Sequence, residues 1–177
     1  MPRAPLHSRL MVIREASHVD WQDIYPFFRS IVDKGETYAY PADLSVLDAE
    51  HLWMEQPPGL TVVAVQGDVI VGSAKMGPNR PGRGSHVATA SFMVHPDHQG
   101  QSVGRSLANY VVAWARERGY RSIQFNAVVE TNVVAVQLWR SLGFKILTTI
   151  PEAFDHPEQG LVGLHVMYMS LGERQLP

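Results

Sequence analysis

From residue 86 onward the chain alternates between strand-like and helix-like segments. His86–His95 is a strand-length run stopped by Pro96. Ser102–Arg118 carries Leu107, Val111 and Trp114 at helical spacing and ends at Gly119. Ser122–Val129 reads as a strand, and Asn132–Leu142 as a helix closed by Gly143. Phe144–Ile150 and His165–Met169 are two further strands, separated by a Pro/Gly-bearing loop. This alternation constrains the fold more than any other feature, because helices in such a chain must cover the faces of a sheet. Upstream, Leu10–Ile13 is a first strand. A helix capped by Ser17 or Asp20 runs through Trp21, Ile24, Phe27, Phe28 and Ile31 to Gly35, with Pro26 kinking it or marking its first turn. Ser45 and Asp48 open a second helix through Leu52 and Trp53. Leu60–Val65 and Val69–Lys75 flank Gln66-Gly67-Asp68 as a hairpin, and residues 77–84, rich in Gly and Pro, read as irregular. The predicted order β-α-α-β-β-β-α-β-α-β-β is a mixed α/β architecture of about seven strands in one central sheet with flanking helices.

Composition narrows the function. A length of 177 residues fits a single domain, 1–177, and 45% hydrophobic content is enough for a packed core. A net charge of −2 excludes a broadly basic nucleic-acid binder. With no cysteine, disulfides, thiolate metal sites and cysteine nucleophiles are excluded together. No run approaches the ~20 apolar residues of a membrane span, and Met1–Ser8 has no apolar core of a signal peptide. The expectation is a cytoplasmic protein with no membrane and no nucleic-acid partner.

One segment carries chemistry. Val94-His95-Pro96-Asp97-His98 leaves a strand, and Gln99-Gly100-Gln101-Ser102-Val103-Gly104-Arg105-Ser106-Leu107 opens a helix with small residues. The first turn of a helix presents unpaired N–H groups and a positive dipole end. Small side chains let a phosphate reach those groups, and Arg105 adds charge. Gly104 inside a helix costs about 1 kcal/mol relative to alanine, so a ligand is a reason for it. Neither a Walker loop nor the dinucleotide glycine fingerprint is present. The other reading of the segment is a loop followed by a glycine-interrupted helix.

Gln99-Gly100-Gln101-Ser102-Val103-Gly104 resembles the Gln/Arg-x-x-Gly-x-Gly/Ala motif of the GCN5-related N-acetyltransferase superfamily, with Ser102 at the first motif glycine. Asn132-Val133-Val134-Ala135-Val136-Gln137-Leu138-Trp139-Arg140-Ser141-Leu142-Gly143-Phe144 resembles the family's Asn-x-x-Ala-x-x-Leu-Tyr-x-x-x-Gly-Phe helix. Residues 124–132 and the Pro-Asn-Arg-Pro-Gly loop resemble the branch with the yeast acetyltransferase for proline analogues. The resemblance implies acetyl-CoA as co-substrate, no metal, splayed fourth and fifth strands, and pantetheine lying between them. It implies cofactor contacts from Phe92, Met93, Val94, Gln99, Gly100, Gln101, Ser102, Val103, Gly104, Arg105, Ser106, Asn132, Ala135 and Trp139. The backbone N–H of Val94 or Met93 would polarise the thioester carbonyl. A homodimer is also implied, as is a small-molecule amine or amino acid as acceptor. A protein or peptide amine, or CoA binding without turnover, are the alternatives.

Trp139 stands where many members carry a tyrosine acid, and indole cannot donate a proton in that role. The fourth strand has no Asp or Glu. The base is then an ordered water or one of Glu36, Glu130 and His86. Asn126, read as a buried strand amide, either orients the acceptor or is satisfied by backbone. Asn132 caps its helix, contacts the ligand, or does both. Tyr38, Tyr40 and Thr89 are candidates for the acceptor pocket. The His95-Pro96-Asp97-His98 stretch reads as a solvated loop, because a metal site needs a third ligand.

Overall fold

The computed structural model describes residues 10–172; Met1–Ser8 lies outside them. The elements are β1 (Met11–Glu15), α1 (Trp21–Lys34), α2 (Val46–Trp53), β2 (Leu60–Gln66), β3 (Val69–Pro78) and β4 (Val87–Val94). They continue with α3 (Val103–Glu117), β5 (Ser122–Val129), α4 (Val133–Ser141), β6 (Lys145–His156) and β7 (Gly160–Ser170). All seven strands form one sheet in the order β1-β2-β3-β4-β5-β7-β6. Every neighbouring pair is antiparallel except β4 and β5. The expected element order, open mixed sheet and flanking helices are all present.

Strand alternation sends successive side chains to opposite faces, and each face has its own helices. Val62, Ala64, Ala74 and Met76 pack with Leu107, Val111 and Trp114 of α3 and Trp139 of α4. Val63 and Met93 face the other way, against Ile24, Phe27 and Phe28 of α1 and Trp53 of α2. A buried polar tie fixes α2 to its face. Trp53 Nε1 donates to Ser73 Oγ at 2.9 Å, and Ser73 Oγ donates to the Val62 carbonyl at 2.9 Å. With all partners supplied, such bonds each contribute about 1 kcal/mol instead of leaving a buried polar group unpaired.

Asp20 stands at the N-cap of α1, but its side chain makes no cap bond to the helix. Ser17 heads a 3-10 turn, His18–Asp20, that precedes α1. The Asp20 carboxylate accepts from the Ser17 backbone N–H at 2.7 Å and from Arg14 through both oxygens at 2.8 Å. It therefore ties the end of β1 to the helix, and the Arg14 guanidinium holds it well below the usual carboxylate range. Pro26 falls in the second turn of an unbroken helix, with an exposed residue, Gln22, four positions earlier.

Two stretches read as loops are strand. β3 continues through Gly77 and Pro78, which pair with Thr89 and Ala88. β2 begins at Leu60, opposite Met76, so the N–H that Pro78 lacks would have met no strand. Residues 151–164, expected to be a loop, hold the second half of β6, the turn at 157–159 and the first half of β7. Between Ile150↔Leu164 and Phe154↔Val162 the edge strand β6 carries two more residues than β7. Pro151 sits in that irregularity, where a missing donor breaks no ladder bond.

Gly72 on β3 brings the start of α3 close to the sheet. A Cβ there would lie 2.8 Å from Val103 Cγ1, 3.1 Å from Leu107 Cδ1 and 3.1 Å from the Met93 carbonyl oxygen. Gly72→Ala is expected to destabilise the protein by about 1–3 kcal/mol through overpacking. Each kcal/mol lowers Tm by about 2–4 °C in a domain of this size, so thermal melting tests the contact; an unchanged Tm would mean α3 can withdraw freely.

Candidate active site

β4 and β5 pair at Val87↔Ser122 and Ala88↔Ile123, next to the Arg121 N–H bond to the His86 carbonyl at 2.9 Å. Beyond those pairs the two strands diverge. A cavity of about 1300 Å³ opens between them and reaches both faces of the sheet. On the α4 face it is edged by Phe92, Phe125 and Trp139, whose ring centroids lie 4.7–5.8 Å apart. Trp139 is otherwise buried in the core.

Backbone alternation decides which groups of β4 face the gap. The His95 N–H donates to Val71 on β3 at 2.9 Å. The Phe92 N–H and carbonyl instead meet the Tyr38 hydroxyl. Phe92 and Val94 therefore turn their backbone groups toward the gap, while Met93, paired with Ser73, turns its own toward β3. The Met93 N–H is thus not placed to face a thioester, and Phe92 takes its place beside Val94.

At the end of β4, Gln99, Gly100, Ser102, Val103, Gly104 and Arg105 line the cavity, whereas Gln101 and Ser106 do not. The first α3 bond runs from the Ser106 N–H to the Ser102 carbonyl at 3.0 Å. Ser106 is thereby committed to the helix, and the N–H groups of Val103, Gly104 and Arg105 have no partner within it. Gly100 and Ser102 both adopt positive φ, +75° and +63°. The glycine usual at position 102 follows from that backbone. A Cβ on Gly104 would lie 3.5 Å from Leu138 Cδ2 and 3.7 Å from Val94 Cγ2, ordinary contacts. Packing within the protein therefore gives no reason for a glycine at 104.

From α4, Asn132, Ala135 and Trp139 reach the cavity wall. Asn132 caps the helix, its Oδ1 accepting from the Ala135 N–H at 3.3 Å. Arg105 donates to Ser141 Oγ at 2.9 Å, linking α3 to α4.

The α1–α2 face holds the other end. Tyr38, Tyr40, Thr89, Ser91 and Asn126 line it with Glu36, Glu55 and Lys75. Tyr38 and Tyr40 stack at 5.1 Å. Burial pushes both phenols up, so both stay neutral near pH 7. Lys75 Nζ donates to the Leu52 carbonyl at 2.6 Å and lies 3.5 Å from Glu55. Asn126 is exposed, not buried, because it stands in the β5 irregularity between Phe125 and Val128. Its Nδ2 donates to Asn79 Oδ1 at 2.6 Å, and its Oδ1 accepts from Gln124 at 2.9 Å. Of the three candidate bases, only Glu36 lines this cavity. Glu130 accepts from the Gly163 N–H at 2.5 Å, and His86 borders a separate small pocket with Arg118 and Tyr120. Among the described residues no group of three His, Cys, Asp or Glu side chains is placed to hold a metal ion.

Residues 20–144 match the family model of the acetyltransferase (GNAT) family. The chain belongs to that family. The acetyltransferase is 28% identical to N-acetyltransferase aca1 of Schizosaccharomyces pombe over 142 residues, 72% of this chain and 68% of that protein. It is 31% identical to the L-amino acid N-acyltransferase MnaT of Escherichia coli over 117 residues, 66% of this chain and 67% of the other. A GCN5-related N-acetyltransferase from Kribbella flavida superposes with a TM-score of 0.88 at 54% identity, over 90% of this chain and 97% of that one. Members of the family use acetyl-CoA, and the gap between β4 and β5 with its loop of free N–H groups suits such a ligand.

Sequence reasoning missed Asn79, Lys75 and Glu55 of the acetyltransferase. Lys75 and Glu55 sit in segments whose local pattern records only strand or turn. Asn79 follows the end of β3, and only the tertiary path carries its amide to Asn126 on β5.

Ser102 at φ +63° generates a prediction. A non-glycine residue in the left-handed region costs about 1–2 kcal/mol, and glycine's extra freedom in the unfolded chain returns about 0.4–1 kcal/mol of that. Ser102→Gly should therefore raise Tm, by up to about 6 °C. A fall in Tm would show that the serine hydroxyl stabilises the loop.

Proposed function

We propose that this N-acetyltransferase transfers acetyl from acetyl-CoA directly to the amine of a small molecule, an amino acid or simple amine. The observation that carries the reading is the passage through the sheet. One mouth is the α3 N-terminus, suited to pyrophosphate. The other is a chamber of tyrosines, Asn126, Thr89, two carboxylates and Lys75, whose mixed charge suits a zwitterion. Similarity to an L-amino acid N-acyltransferase supports the same class of acceptor.

In this reading the free N–H groups at residues 103–105 hold the pyrophosphate and the β4 edge pairs with pantetheine. The Phe92 and Val94 N–H groups face the acyl carbonyl. The amine attacks without a covalent enzyme intermediate. The departing thiol has an ordinary pKa of about 8.5, so it leaves without a strong acid, and Trp139 serves as wall. Glu36 or a water takes the amine proton. We further propose a cytoplasmic homodimer; no described helix is long and apolar enough to cross a membrane, and Leu147, Ile150 and Leu161 leave apolar surface on the β6–β7 hairpin.

The test is thiol release from acetyl-CoA across a panel of amines and amino acids, with peptides alongside. Turnover on a small amine or amino acid supports the reading, and turnover on peptides alone would replace it. Gly104→Glu puts a like charge against the pyrophosphate, a cost of several kcal/mol, so acetyl-CoA should bind about a hundredfold more weakly or worse. Calorimetry showing unchanged affinity in the folded variant would refute the α3 site.

Asn126 is proposed to orient the acceptor, with Asn79 and Gln124 fixing its amide. Losing a hydrogen bond to a charged group is worth about 1.5–3 kcal/mol. Asn126→Ala should then reduce acceptor kcat/KM by about ten- to over a hundredfold with little change in acetyl-CoA affinity. Acceptor kcat/KM within a factor of two of wild type would make Asn126 a strand residue only.

A further inference from the structure

Tyr38 makes a contact that packing alone does not require. Its ring is fixed between Tyr40, stacked at 5.1 Å, and Trp53, edge-on at 6.3 Å. Its hydroxyl leaves that cluster and ends on the β4 backbone at Phe92. There it accepts from the Phe92 N–H at 2.9 Å and donates to the Phe92 carbonyl. These are the groups of β4 that lost their partner when β5 turned away. The half-buried Phe92 N–H takes the phenol oxygen as its acceptor. An acyl carbonyl oxygen that accepted from the same N–H would compete with this hydroxyl.

We propose that Tyr38 is a catalytic residue, the side-chain donor of the oxyanion site: its oxygen holds the acyl-oxygen position on the Phe92 N–H until the thioester arrives, and its O–H then donates to that oxygen together with the Phe92 N–H. The inference rests on the proposed acetyl transfer. The amine lone pair forms the new C–N bond, and the C=O π pair moves to oxygen, where the two donors stabilise it. Collapse restores C=O and breaks C–S. The thiolate departs with the electron pair, and through solvent it gains the proton that the nitrogen loses. A donor that serves an oxyanion must remain protonated, and burial keeps the Tyr38 phenol neutral. Donors aimed at the oxygen that gains charge stabilise it more than the ground-state carbonyl.

Tyr38→Phe retains the ring and removes only the O–H. With the best acceptor of the panel, kcat should fall about a hundredfold, as when one oxyanion donor is lost. KM for the acceptor and the Kd for CoA should stay within about twofold of wild type. A variant with wild-type kcat, or one that only binds acetyl-CoA more tightly, would overturn the proposal in favour of a placeholder that merely competes with the ligand. Should wild type fail to bind acetyl-CoA at all, the acetyl-transfer reading falls with it, so the two failures are distinct. A second measurement needs no variant. In wild-type protein labelled with 15N-phenylalanine, the Phe92 amide resonance should move farther on adding acetyl-CoA than on adding CoA, which brings the same pantetheine but lacks the acyl oxygen. Equal shifts with both ligands would place the thioester away from Phe92 and overturn the assignment.

Discussion

Everything in this site depends on two strands that stop pairing. β4 and β5 share two register pairs and then part. A buried strand edge cannot be left with bare N–H and carbonyl groups, so each must find a partner in protein, water or ligand. β5 pairs with β7 and β4 with β3, each through the edge that faces away from the gap. On the β4 side the Phe92 groups meet one tyrosine hydroxyl from the loop after α1, and the rest is left to whatever enters the cavity.

The rest of the molecule holds that gap open. On one face, the aromatic group of Phe92, Phe125 and Trp139 fills the angle between the strands, and Phe144 stacks on Phe125 at 4.4 Å. Replacing the bulk at Trp139 with a smaller side chain would leave a void there, so packing is a sufficient reason for an indole at this position. On the other face, Trp53 and its hydrogen bonds to the sheet fix the end of α2, and with it Glu55 and the chamber wall. Gly72 lets α3 sit close enough for its first turn to point into the cavity. The sheet sets the distance between the two mouths, and the helices set what each mouth presents.

The sequence made much of this legible, and for physical reasons. Helical spacing at Leu107, Val111 and Trp114 and the small residues from Gly100 to Gly104 are local signals, and local signals survive in one dimension. The turn end of the β6–β7 hairpin, residues 151–164, is not legible, because Pro151 normally argues against a strand. An irregularity on an edge strand tolerates it, and neither edge nor irregularity is written in the local pattern. Asn126 is exposed for a related reason. Strand alternation from Phe125 would hide one face, but the β5 irregularity turns the amide outward, toward Asn79, 47 positions earlier in the chain. The gap-facing role of Phe92 rather than Met93 follows from the β3 register, which only the folded sheet reveals.

The composition of the chamber bears on how such an enzyme manages without the usual acid. Trp139 offers no proton, and no carboxylate side chain projects from β4. A thiol leaving group makes this tolerable, since its conjugate base is stable enough near neutral pH to depart alone. The step that needs help is then attack on the carbonyl, where charge builds on one oxygen. Hydrogen-bond donors serve that step better than titrating groups, because they stabilise charge without changing protonation state and are already oriented before reaction. The groups found at the divergence fit that demand: backbone N–H donors of β4 and a phenol kept neutral by burial. Titratable side chains stand farther along the chamber wall, at Glu36, Glu55 and Lys75, where they can select and deprotonate an amine without sitting at the acyl carbon. In the proposed reaction, the loss of the tyrosine from α4 is therefore compatible with turnover, and the energetic burden falls on the strand edge that the missing β4–β5 pairing left open.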